Sequence, residues 1–145
     1  MLKLLGMDEM VERYERWVPI PGLPEAPLET FDCAFRDGWL SVTARYWSTG
    51  GHHKLHIDFD YVEAFKSYEE FSDPWMSNQL PLPQLTGEDH RWRFPLQEVI
   101  HSSWVARVMA RNGGIDRAWR HLVISTTDHS LHIMTSGPPR KVELI

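Results

Sequence analysis

Three histidines and two aspartates fall within residues 52–60, HHKLHIDFD. Imidazole and carboxylate are common metal ligands and proton carriers near neutral pH, so metal or general-base chemistry would be sought here first. On an extended strand His56, Asp58 and Asp60 share one face. At about 3.3 Å rise per residue the outer two stand roughly 13 Å apart, so neighbours could share an ion but all three could not. A further ligand would have to come from a later hairpin, from His121 or His132; the alternative metal set is His56, Asp58 and His132. The helical H-E-x-x-H motif is absent. The row reads better as the polar face of a sheet, with no cofactor expected.

A second group comprises His121, Asp128, His129 and His132, with Ser102, Ser103 and Ser125 as conceivable nucleophiles. No G-x-S-x-G elbow is present, and Ser102 stands where a helix N-cap is needed. Asp128 suits a turn. Cys33 falls on the apolar side of a strand, where a thiol ionises poorly. The pairs Glu69-Glu70 and Glu88-Asp89 suit solvated turns better than a glycosidase acid and base. No catalytic residue is assigned.

The elements that must position these residues begin with Met7, Met10, Val11, Tyr14, Trp17 and Val18 at helical spacing, which predicts an N-terminal helix over 2–17. Glu9 with Arg13 and Glu12 with Arg16 would support it from the other side. Pro19 ends it, and prolines at 19, 21, 24 and 27 make 18–30 an extended connector. FDCAFRDGWLSVTARYW then alternates around Asp37-Gly38, the pair favoured in two-residue hairpin turns. That turn sets Phe35 opposite Leu40, Cys33 opposite Val42 and Phe31 opposite Ala44. The chain returns with Tyr46 opposite Leu55, burying Leu55, Ile57, Phe59 and Tyr61 and leaving His56, Asp58 and Asp60 outward beside Arg45, Thr43 and Ser41.

Residues 72–93 show neither period, the mark of a lid or binding loop, and Trp75 within them could cover the polar face. Beyond them come a strand (FPLQEVI), a short helix near 103–112 capped by Ser102 and ended by Asn112-Gly113, a hairpin (HLVIS, LHIMT) and a last strand (KVELI). The expected fold is one α+β domain over 1–145: a curved antiparallel sheet of about six or seven strands, a half-open barrel, with the two helices.

The chain has 145 residues, a formal charge of −5, seven tryptophans, eight histidines and one cysteine. With no basic cluster beyond HRWR at 90–93, nucleic acid is not an expected partner. No apolar run spans a bilayer and no signal-peptide pattern develops, so a membrane is not expected and a cytoplasmic location is. Surplus tryptophan suits an interface, and Trp39, Arg45, Trp47, His56, Asp58 and Trp75 form the expected binding surface for a protein or small ligand. A homodimer through edge strands is compatible with that surface.

FDYVEAFKSYEE, PLQEVIHSSWV and HLVISTTDHSLHIM resemble a small bacterial family of uncharacterised proteins, over about half the chain. His101 departs from the asparagine expected before the capping serine. The resemblance implies no catalytic residues, and it implies an immunity-type role, the binding of a toxin partner. The alternative activity is a metal-dependent enzyme using the His/Asp cluster on the sheet.

Overall fold

The computed structural model describes residues 11–47, 53–69 and 94–145. These are mostly β, in two antiparallel sheets with one short helix and no closed barrel, which corrects the expectation of a single curved α+β sheet. The strands are β1 (Arg13–Arg16), β2 (Leu28–Arg36), β3 (Trp39–Tyr46), β4 (Lys54–Phe59), β5 (Val62–Glu69), β6 (Leu96–Ile100), β7 (Trp119–Ser125), β8 (His129–Ser136) and β9 (Lys141–Leu144). Helix α1 (Ser103–Arg111) lies between β6 and β7. One sheet has the order β1-β6-β7-β8-β5 and the other β2-β3-β4-β9.

The core lies between the sheets. Leu40, Val42, Ala44, Leu55, Ile57 and Phe59 of the four-stranded sheet pack against Leu96, Leu122, Ile124, Leu131 and Ile133 of the five-stranded one. Alternate residues leave each sheet on its far side, and there the two differ. Behind the five-stranded sheet a second cluster of Tyr14, Val99, Val123 and Phe94 forms. Behind the four-stranded sheet the side chains are half-buried or exposed, mostly polar, with Trp39 and Trp47 among them.

The expected helix over 2–17 is overturned in its described part, residues 11–17. Residues 13–16 are strand β1, with Tyr14 opposite Val99 of β6; residues 1–10 lie outside the described set. Tyr14 and Trp17 are both buried but point to opposite sides of their sheet, Tyr14 to the outer cluster and Trp17 to the core, with its ring 6.2 Å from that of Phe59. A spacing of three puts two residues on one face of a helix but on opposite faces of a strand, and this sheet has apolar cover on both. Val11 and Val18, assigned to the same stripe, are exposed. Glu12 and Arg16 are not a helical pair either: Glu12 accepts from the Ser103 backbone N–H at 2.9 Å and from its hydroxyl at 3.2 Å. A carboxylate thus sits at the positive end of α1, whose own first turn has no acid.

The β2–β3 hairpin has the expected register, Phe35 opposite Leu40 and Cys33 opposite Val42. Asp37 and Gly38 both have positive φ, 46° and 87°, as the tight turn between twisted strands requires. The β3–β4 register is two residues away from expectation: Ala44, not Tyr46, faces Leu55. A shift of two preserves the faces, so Leu55, Ile57 and Phe59 are still buried. Tyr61, expected beside them, is 62% exposed, because the chain bends at Asp60 and β5 joins the other sheet. The proline connector ends earlier than expected, with Leu28 already fully buried in β2.

Candidate functional site

The solvent-facing side of the four-stranded sheet is built by cross-strand pairing. Thr43 stands opposite His56, and Ser41 opposite Asp58. Their side chains join in a line: Thr43 Oγ1 is 3.0 Å from His56 Nδ1, His56 Nε2 is 2.9 Å from Asp58 Oδ1, and Ser41 Oγ donates to Asp58 Oδ1 at 2.7 Å. Asp58 thus sits between the serine and the histidine. The hydroxyl proton of Ser41 goes to a carboxylate, and both nitrogens of His56 are engaged. Nucleophilic catalysis needs the base against the hydroxyl and the acid behind the base, and this row has the opposite order. Chemically it is a pre-set strip of donors and acceptors.

At the hairpin end of the strip stands Trp39, 45% exposed, with the Arg140 guanidinium 4.6 Å from its ring centroid. Arg140 is placed there because its backbone N–H bonds Asp58 O as the chain enters β9. Beside Trp39 lies a hollow of about 600 Å³ lined by Ala34, Phe35, Arg36, Asp37, Trp39 and Ser41. At the opposite end Arg45 is exposed, and Trp47, exposed too, is held by its backbone N–H to Pro27 O.

Of the expected surface, Trp39, Arg45, Trp47, His56 and Asp58 therefore belong to one sheet face, while Trp75 lies outside the described residues. Arg140, which sequence reasoning missed, joins them; its only signal was its place at the entry to the last strand. The alternative metal set is not assembled. His132 is buried behind the five-stranded sheet, across the core from His56 and Asp58, and among the described residues no group of three metal-binding side chains forms.

His132 instead belongs to a second polar line. Val105 N–H donates to Ser102 Oγ at 3.1 Å, which makes Ser102 the N-cap of α1. Ser102 Oγ is also 2.7 Å from His121 Nδ1, His121 Nε2 is 2.8 Å from His132 Nδ1, and His132 Nε2 is 3.5 Å from Ser130 Oγ. The Trp104 ring meets His121 and His132 edge-on, with centroids at 4.8 and 6.3 Å, and Lys66 Nζ stands 4.6 Å from the Trp104 centroid. Burial, then His132 and Lys66, push the His121 pKa down to about 2. A base that weak does not take a serine proton near neutral pH. Ser102 therefore acts as a cap tied to a buried polar network.

Cys33, expected inside, is exposed, yet its pKa is still raised, by partial desolvation and then by the adjacent Asp32 charge. A smaller cleft of about 230 Å³ lies among Arg16, Trp17, Leu23, Tyr46 and Phe94, with the Arg16 guanidinium 3.7 Å from the Phe94 ring centroid. Among the described residues no helix is long and apolar enough to cross a membrane. Comparison of the chain with protein-family models, with curated proteins and with solved structures finds no match in any of the three.

Proposed function

We propose that this chain is a non-catalytic binding domain, of the immunity type, that engages a protein partner through the outer face of its four-stranded sheet. The observation that carries this reading is Trp39: a large ring left 45% exposed on an ordered strand, braced by Arg140 and bordered by the Ser41–Asp58–His56–Thr43 line. Trp and Arg are the residues on which interface energy concentrates, and a braced ring loses little freedom on binding. The strip supplies polar contacts whose geometry is already set. An acidic chain with one cysteine suits a reducing, cytoplasmic setting.

Partners recovered with the tagged protein, then purified, supply the test. In calorimetric titration Trp39→Ala should weaken binding by about 2 kcal/mol, roughly thirtyfold, and Arg140→Ala by less. Affinity unchanged in both variants would remove this face from the interface.

A further inference from the structure

Strand β2 is nine residues long and, among the described residues, pairs with one strand only, β3, apart from a single bridge from Leu28 to Thr126. In a hairpin with a two-residue turn the closing residues exchange both hydrogen bonds, so Arg36–Trp39, Ala34–Ser41 and Asp32–Thr43 are the bonded pairs. The backbone N–H and C=O groups of Phe31, Cys33 and Phe35 therefore point away from β3. The β7–β8 turn covers only the start of this edge, Thr127 N–H donating to Leu28 O and Thr127 Oγ1 to Glu29 O. Beyond Glu29, no bond to the outward groups of residues 31, 33 and 35 is found among the described residues.

The side chains along this edge are also uncovered. Phe35 is 50% exposed, Cys33 is exposed, and Phe65 on the facing sheet, its ring centroid 5.0 Å from that of Phe35, is 38% exposed. Natural edge strands are guarded by charged side chains, lysine above all, by proline or by a bulge. The run Phe31-Asp32-Cys33-Ala34-Phe35 has the single charge of Asp32 but no lysine or proline, and the irregularity in β2 lies outside it, between Leu28 and Thr30.

We propose that a second copy of this chain pairs here, β2 antiparallel to β2 about a two-fold axis at Cys33, so that the two four-stranded sheets become one. Phe31 then faces the second copy's Phe35, and Cys33 faces its counterpart. Every outward group on residues 31, 33 and 35 finds a partner, two bonds per facing pair. Other two-fold registers lose this: an axis at Phe31 brings in Glu29, whose carbonyl is taken, and one at Phe35 runs the strand into the Asp37–Gly38 turn. Asp32 faces the second copy's Ala34 directly, with that copy's Arg36 on one diagonal, an opposite-charge pair made twice about the axis, and its Asp32 on the other, a like-charge pair made once. The surface is the edge of the sheet whose outer face carries Trp39, and the two meet at the hollow lined by Ala34, Phe35 and Arg36.

Sedimentation equilibrium should show twice the 17.0 kDa chain mass. A short bis-maleimide should then give a covalent dimer, which requires Cys33 to meet Cys33 because the chain has no other cysteine. Phe35→Lys, at an exposed position whose fold circular dichroism can verify, should weaken the dimer at least tenfold. Asp32→Arg and Arg36→Asp should each weaken it and the double exchange restore it, an arm that also decides the matter if Phe35→Lys does not fold. Three outcomes overturn the proposal: a monomer up to about 200 µM, a dimer that does not cross-link, or a dimer indifferent to these exchanges.

Discussion

Acid turns His121 against the fold. Its imidazole is held neutral down to about pH 2 by burial behind the five-stranded sheet, with His132 and Lys66 adding to the effect. In the unfolded chain it titrates near the ordinary imidazole value of 6.5. Below that pH the unfolded chain takes up a proton that the folded chain refuses. Stability is whole above about 6.5 and falls as pH drops toward the folded value, by up to about 1.4 kcal/mol per pH unit from this group. Urea unfolding between about pH 7 and 5 should show the decline, and His121→Gln should flatten it; an equal slope in the variant would place the loss elsewhere. Ser102 was legible as a cap because a serine before an apolar-periodic run has few other uses. Its bond to His121 was not, since that depends on how β7 lies beneath the helix. Trp39, His56 and Asp58 were legible as sharing a face from alternation alone, whereas Arg140 reaches Trp39 only through the pairing of β9 with β4.

Among the elements, the β2–β3 hairpin was the most readable, because Asp37-Gly38 specifies both its turn and its register. Gly38 has φ +87°, and a Cβ built there meets nothing within 4 Å. Gly38→Ala should therefore cost backbone strain alone, about 1–2 kcal/mol in thermal or chemical unfolding. A loss well above that would mean the turn is held by contacts too, such as the Val62 N–H bond to Gly38 O. The β3–β4 connection carries Gly50-Gly51, whose two-residue turn would set Tyr46 opposite Leu55, and the observed register differs from that by two. Strand β1 defeated periodicity for a different reason. Its apolar residues serve two clusters on opposite sides of the sheet, and Tyr14 and Trp17 at a spacing of three mimic a helix.

Across the whole molecule, what could not be read was the partition of strands between two sheets. The bend at Asp60 sends β5 away from β4, and β9 returns from the chain's far end to lie beside β4. No local pattern announces either. The pairing of β1 with β6 has a kinetic consequence. Arg13 must find Ile100 across most of the chain, whereas β2, β3 and β4 need only close short connections. Closing a long loop before any contact rewards it is slow, so the meander should assemble first and β1 dock later, as should β9, whose Leu144 pairs with Leu55 over a similar separation, with refolding on the millisecond-to-second scale. In stopped-flow experiments Val42→Ala should slow refolding, while Tyr14→Ala should chiefly hasten unfolding. A refolding rate cut equally by both would make the arrival of the first strand part of the rate-limiting barrier.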